Sequence, residues 1–173
     1  KIKEMIITYE NSELVSKEGY KLTSNKILYD NVKKIISSDQ ISTLTDMDGN
    51  IIIVSMFEYY LEKKLFSSVG KIKIIDIKRN KYFFKELHVD TKKREMIGSD
   101  VSVVLDQENF GVSKENDPRF VANDIFMSKE KSILSKAVFT VCQQREGGCP
   151  PWSLQAKKIS HDKIKKTIYY EHA

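Results

Sequence analysis

Apolar and polar residues alternate in short segments along the chain, and most of these segments end in a charged turn rich in lysine. In one of them, Leu87-His-Val89 leads into Asp90-Thr-Lys-Lys-Arg94, after which apolar residues resume at Met96. Alternation with a period of two places successive side chains on opposite faces of a β-strand. Similar turns begin near residues 30, 62, 90, 128 and 162. This recurrence predicts stacked units of strand, turn and strand.

The alternating segments together predict an all-β fold built from repeated hairpins. Phe57–Leu65 also fits an amphipathic helix, but it occupies the same place in the repeat as the other strands, and we therefore expect a strand. Asp106–Asp124, which contains Gly111 and Pro118, is predicted to be the longest loop. No linker divides residues 1–173, so we expect a single domain. The predicted strands include Lys21–Tyr29, Ile51–Leu61, Lys81–Val89, Val101–Leu105, Asp124–Met127 and Leu154–His161.

Composition adds a charge to this picture. Hydrophobic residues make up 40% of the chain and charged residues 31%, and the net charge is +5, which is typical of a folded domain. The positive charge has two interpretations: attraction to phosphates, anionic lipid or nucleic acid, or lysines that solvate exposed strand faces. The second is favoured because no block of like charges stands out.

The sequence contains no recognisable catalytic motif. A nucleophile elbow, a phosphate-binding loop and a paired-histidine motif are all lacking, so we expect neither an enzyme nor a cofactor. Cys142, Cys149, His161 and His172 are spaced unlike the close ligand pairs of structural zinc sites, and no metal site is predicted. The strand tyrosines come without a nucleic-acid-binding motif, so we expect no nucleic-acid partner.

The C-terminal stretch carries a resemblance to a known family. Cys149-Pro-Pro-Trp-Ser-Leu-Gln-Ala-Lys-Lys-Ile-Ser-His-Asp162, followed by Lys166-Thr-Ile-Tyr-Tyr-Glu-His-Ala173, resembles the end of the N-terminal periplasmic domain in alphaproteobacterial LPS-assembly proteins of the LptD type. The upstream segment Ser24-Asn-Lys-Ile-Leu-Tyr-Asp30 is similar to the OstA (organic solvent tolerance) repeat of that family. The chain thus looks like an OstA-type domain.

This resemblance implies a V-shaped β-jellyroll in the periplasm that transports lipopolysaccharide (LPS) and assembles it at the outer membrane. The chain would be the soluble domain of an outer-membrane protein, excised from a longer chain with a C-terminal β-barrel. The implied partners are LPS, a periplasmic bridge protein of the same fold, the protein's own barrel and its plug lipoprotein. Two alternatives stay open: a soluble periplasmic bridge protein of the same fold, and a β-rich interaction module with no lipid ligand.

In such a jellyroll, one alternating set of side chains lines an apolar channel for the acyl chains of LPS. Strand parity selects the set, and a shift of one residue in register would exchange the two faces. The expected lipid-binding residues are Ile27, Tyr29, Phe57, Tyr59, Leu87, Val89, Val103, Ile125 and Met127.

The resemblance also implies an oxidising compartment, in which the two cysteines form disulfides. Cys142 and Cys149 pair either with each other or with cysteines of the barrel.

The first predicted strand supplies the expected docking edge for the bridge protein. A jellyroll open along the transport axis exposes an unpaired strand at each end, and an unpaired strand is a template for another chain. The edge residues are Met5, Ile6, Ile7, Thr8 and Tyr9. If residues before Lys1 form the true edge, the docking strand lies there instead.

Overall fold

Antiparallel pairing joins all the strands of the described chain into one sheet. The computed structural model describes residues 4–113, 116–143 and 151–173. The all-β prediction is confirmed, with thirteen strands and one four-residue helical turn, α1 (Gln107–Phe110), in this part of the chain. The strands are β1 (Met5–Val15), β2 (Lys21–Asp30), β3 (Ile35–Ser38), β4 (Ser42–Thr45), β5 (Ile51–Val54), β6 (Phe57–Tyr60), β7 (Leu65–Ile75), β8 (Lys81–Asp90), β9 (Glu95–Val104), β10 (Arg119–Met127), β11 (Lys131–Thr140), β12 (Leu154–Asp162) and β13 (Thr167–Glu171).

The sheet is an up-and-down meander in which the short strands are halves of longer ones. Strands β3 and β4 pair with the two halves of β2, and β6 and β5 then pair with β3 and β4. Strand β7 pairs with both β6 and β5. From β7 onward, each strand pairs with its successor, so that β1 and β13 are the two edges.

The hairpins follow a period of thirty residues between residues 16 and 105. Inward-facing positions repeat as Ile27, Phe57 and Leu87, and the last residue of the turn repeats as Lys34, Lys64 and Arg94. Those three turn residues all have positive φ, between 55° and 57°. Backbone hydrogen bonds join successive turns, since the Leu61 N–H donates to Lys34 O and the Thr91 N–H to Lys64 O, both at 2.9 Å. The hairpins therefore stack in register.

Most long strands are interrupted near their middle. Strand β7 has a bulge between Val69 and Ile72, where Gly70 has a φ of 106°. Strand β1 has a similar bulge between Tyr9 and Ser12. Bulges and residues with positive φ bend a strand and increase its twist. The interruptions follow one line across the sheet, and positive φ values along it occur at Glu10, Asn11, Gly70, Asp100 and Lys136.

Small, buried residues occupy the inner side of this line. The Ser24 hydroxyl lies 3.0 Å from the hydroxyls of both Ser38 and Ser42. Backbone groups freed by the strand break also find partners here, because the Gln40 N–H donates to Ser38 Oγ at 3.0 Å. Similarly, the Ser68 hydroxyl donates to Met56 O at 2.6 Å. Serine thus satisfies polar backbone groups that would otherwise be buried without partners.

The bend divides the sheet into two arms whose inner faces cover each other. The first arm consists of the strand halves that end in turns 31–34, 61–64, 91–94, 128–130 and 163–166. The second arm consists of the other halves, which end in turns 16–20, 46–50 and 76–80 and in the connections from β9 to β10 and from β11 to β12. Sixteen apolar residues drawn from both arms are buried in one cluster, although the described chain provides no helical layer to cover the sheet. Burial also raises the pKa of the Tyr20 hydroxyl in the second arm, which lies within electrostatic reach of Arg94 in the first.

Several predicted boundaries differ from the structure. The strand predicted at Val101–Leu105 is part of β9, which begins at Glu95, and Phe57–Leu65, expected to be a strand, contains the turn 61–64. The segment predicted as one strand, Ile51–Leu61, is two strands separated by Ser55 and Met56, because it crosses the bend line. The predicted loop Asp106–Asp124 ends earlier, since β10 already begins at Arg119 directly after Pro118. Ala122 is buried on the inner face, and this packing favours a strand despite the nearby proline and glycine.

A substitution at Gly98 tests the close packing near the bend. A Cβ atom at this position would lie 2.6 Å from Cδ1 of the Phe84 ring. We expect Gly98→Ala to lower the free energy of unfolding by about 1–3 kcal/mol, as overpacking does in other cores. Urea denaturation measures this change. In the double variant Phe84→Leu/Gly98→Ala, the smaller side chain relieves the clash, so the two effects should be less than additive. Full additivity would contradict the contact.

Candidate functional site

The nine residues expected to bind lipid all face the space between the arms. Five of them belong to the buried core, with at most 4% of each side chain exposed: Ile27, Phe57, Leu87, Val103 and Ile125. Tyr59, Val89 and Met127 are partly buried and pack against this core. Tyr29 lines a cavity at the β1 end of the sheet. The structure thus brings the nine together on one continuous inner face.

An apolar cavity of about 330 Å³ lies where this inner face reaches the β1 edge. Strand β1 contributes Ile6 and Leu14, whose side chains are 46% and 37% exposed. Ile36 and Leu61 complete the apolar wall from neighbouring strands and turns, and Thr8, Ser12 and Glu13 add polar groups to the lining from β1. The volume lies within the range of small-ligand sites, about 300–1,000 Å³. In the described chain, the inner face therefore ends at the β1 edge in a half-open cavity.

Sequence reasoning missed part of this cavity. Ile6 was expected only at the docking edge, and Leu14 and Ile36 were not assigned a role. Strand pairing supplies the missing signal: Ile6 lies opposite Tyr29, and Tyr29 lies opposite Ile36. Opposite residues of an antiparallel pair point to the same face of the sheet. Once Tyr29 is placed inside, its two neighbours are therefore inside as well.

The buried interior carries hydroxyl groups but no buried charge in the described part of the chain. Its buried polar residues are serines and threonines. The Tyr82 hydroxyl donates to Asp76 Oδ2 at 3.1 Å in the second arm. Burial raises the pKa of Tyr82, and the Asp76 carboxylate raises it further. The described residues contain no group of three or more metal-binding side chains. Chemically, this interior is suited to holding apolar groups.

The free edge of β1 is organised for pairing. Its only strand partner in the described chain is β2. The Asn31 N–H donates to Glu4 O at 2.8 Å. In the antiparallel β1–β2 pair, this bond determines which β1 residues direct their main-chain groups towards β2 and which direct them away. The amides of Ile6 and Thr8 therefore point to β2, whereas those of Met5, Ile7 and Tyr9 point away from the sheet. The amides of Met5, Ile7 and Tyr9 thus form an outward row with no strand partner in the described chain, whereas the Tyr9 carbonyl accepts the Ser12 hydroxyl at 3.4 Å.

The turns at the end of the first arm are basic and tightly held. Asp30 Oδ1 accepts the N–H groups of Val32 and Lys33, both at 2.9 Å, and Asp90 and Asp162 cap their own turns in the same way. The last turn position has positive φ in four of the turns. A side chain there costs about 1–2 kcal/mol relative to glycine. The second arm has Gly19 and Gly49 at the corresponding turn position.

One of the two cysteines can be placed. Cys142 is half-buried after β11, with its Sγ 3.6 Å from Trp152 O. Cys149 lies outside the described residues, so the predicted pairing stays a prediction.

Comparisons with known proteins leave the family open. No protein-family model matches the chain, and no curated protein matches it. Among the described residues, no helix has the length and apolar character needed to span a membrane.

Proposed function

We propose that this protein carries lipopolysaccharide by holding its acyl chains between the two arms of the sheet. The arms then form a V-shaped β-jellyroll of the OstA type, and the domain acts in the periplasm as the soluble part of an outer-membrane LPS-assembly protein. The resemblance of the C-terminal stretch to that family motivates the proposal. The observation that carries it is the apolar inner face, which ends in an open apolar cavity at the β1 edge.

The physical basis is that the two parts of an amphiphile prefer different surroundings: the acyl chains lie between the arms, and the polar head group lies at the mouth. An acyl chain moved from water to an apolar interior gains about 0.8 kcal/mol per methylene group. Serine and threonine supply the buried hydroxyls of the described interior, and no buried ionic group there opposes apolar contact. Away from the bend, no strand pairing in the described chain joins the two arms, and side-chain contacts alone hold them together. The arms therefore separate at the mouth to admit an acyl chain. The sugars and phosphates then stay in water between the arm ends.

Site-specific photocrosslinking tests where the lipid lies. We expect a photoreactive residue at Tyr29 or Val89 to capture LPS, because both side chains face the interior. At Leu28 and His88, the adjacent residues on the outer face, capture should be several times weaker. The intact protein is exposed to LPS, irradiated, and probed for the crosslinked product.

Ile97 is the control position for labelling that is caused by hydrophobicity alone. This apolar side chain is 56% exposed on the outer face, so a photoreactive residue there reports nonspecific adhesion to LPS. Equal labelling at Tyr29, Leu28 and Ile97, or no labelling at any of them, would contradict the proposal.

We further propose that the bridge protein docks on β1 and that the opposite end leads to the barrel with its plug lipoprotein. A bridge strand beside Met5–Tyr9 would use the outward main-chain groups of β1 and continue the inner face into the partner. The cavity at the same edge would then lie at the junction. In the intact protein, Cys142 and Cys149 are oxidised, either with each other or with barrel cysteines.

Ile7→Pro tests this docking edge. Because the Ile7 amide points away from β2, proline removes a donor only from the free edge. We expect the variant to lose binding to the bridge protein while its melting temperature stays within a few degrees of the wild type. Co-purification of the bridge protein and thermal melting measure the two effects.

Tyr169→Pro is the matched control at the other edge. The contact from the Lys157 N–H to His172 O implies that the Tyr169 amide also points away from its neighbouring strand. This variant should bind the bridge protein normally. If Ile7→Pro binds as well as the wild type, the partner docks elsewhere.

A further inference from the structure

The turns at the end of the first arm form a continuous row that we call the basic rim. It comprises residues 30–34, 60–64, 90–94, 127–131 and 162–166. Successive turns are separated by two strands, which corresponds to a step of about 10 Å. Hydrogen bonds between neighbouring turns hold this spacing, including one from the Lys163 N–H to Glu130 O at 2.8 Å. The rim borders one side of the mouth between the arms.

Positive charge is concentrated on this rim. It contains twelve lysine and arginine residues and five acidic ones, so its net charge of +7 exceeds the +5 of the whole chain. The rest of the molecule is therefore slightly acidic. The three short turns on the opposite side of the mouth, 16–20, 46–50 and 76–80, together carry three cations and four acidic residues, a net charge of −1. The mouth is thus polarised, with one basic border facing one that is neutral to acidic.

The rim places cations where glycine would be the easier choice. Lys34, Lys64 and Arg94 all adopt positive φ at the last turn position, as does Lys166. The opposite arm uses glycine at two of its corresponding positions and Arg79, with a φ of 64°, at the third. Strained backbone of this kind is tolerated mainly where the side chain has a role.

Most of these cations are available to a ligand. Ten of the twelve are exposed. The rim's ion pairs among the described residues are long, with Lys33 3.9 Å from Asp30 and Lys93 3.8 Å from Asp90. Oδ1 of each of these aspartates already accepts two backbone amides. Asp30 and Asp90 therefore cap their turns instead of pairing closely with the rim lysines.

We infer that the basic rim binds the phosphate groups of the lipid whose acyl chains lie between the arms. The inference rests on the proposed function, because an amphiphile held inside the arms presents its anionic head group at the mouth. Lysine and arginine bind phosphate through charge-assisted hydrogen bonds. The repeated step of about 10 Å offers equivalent sites along the direction of transport. A phosphate can therefore pass from one turn to the next without leaving a cationic environment.

Asparagine substitutions test the rim without disturbing its turns. The rim variant is Lys64→Asn/Arg94→Asn/Lys166→Asn, since these three exposed cations adopt the left-handed backbone conformation, which asparagine tolerates without carrying a charge. The control, Lys17→Gln/Lys71→Gln/Lys136→Asn, removes three exposed cations elsewhere, including one with positive φ. Thermal melting establishes that both variants fold.

Two lipids separate the interior from the rim. The probes are lipid A with two phosphates and the same lipid A without phosphate, each titrated into the full chain at about 0.1 M salt. We expect the wild type and the control to bind the phosphorylated lipid about tenfold more tightly, and the rim variant to lose most of this preference. Affinity for the dephosphorylated lipid should be the same in all three proteins.

Each other outcome has a definite meaning. If the rim variant keeps the full phosphate preference, the inference is overturned while the proposed function stands. If the wild type binds neither lipid, the proposed function and the inference both fail. Vesicles containing phosphatidylglycerol provide a third arm. The rim variant could lose vesicle binding that the other two proteins keep, while all three proteins keep the same preference for phosphorylated lipid A. That result would assign the rim to a membrane surface and would also overturn the inference.

Discussion

The bend across the middle of the strands is the constraint on which the rest of this structure depends. A single antiparallel sheet has two faces, and an apolar face exposed to water is unfavourable over its whole area. The bulges and left-handed residues near Glu10, Gly70, Asp100 and Lys136 fold that face onto itself. Small side chains such as Ser68 and Gly98 allow the close approach at the bend. The sheet thereby forms both its own core and its own cover.

This arrangement separates three chemical environments along each strand. The bend is closely packed. It is polar only where serine hydroxyls bond to backbone groups that the strand breaks leave without a strand partner. The middle of each arm is apolar and buried, around Ile27, Phe57 and Leu87. The ends of the arms are charged turns in water. An amphiphile has the same order of chemistry from acyl chain to head group, which is why the proposed lipid function and the basic rim follow from one geometry.

The sequence predicted the strands and their inward faces better than the architecture that joins them. Ile27, Tyr29 and Val89, which the alternation assigned to one set of strand positions, all point inward in the structure, because period two is a local property of a strand. The bend is different, since a residue with positive φ such as Lys136 has no distinctive local signature. Its signal lies in the thirty-residue spacing of Ser38, Ser68 and Gly98, which becomes visible only when the repeat is aligned on the turns. The identity of a ligand is not a local property of a strand, so the alternation predicts none.

Nuclear Overhauser effects between protein methyl groups and acyl chains measure contact between the lipid and the inner face directly. The protein is labelled at isoleucine, leucine and valine methyls and combined with LPS. We expect effects from the acyl methylenes to Ile27, Leu87 and Val103, and none to Ile97 and Val121, which are more than half exposed on the outer face. Effects confined to the outer methyls, or absent throughout while LPS is bound, would contradict this contact.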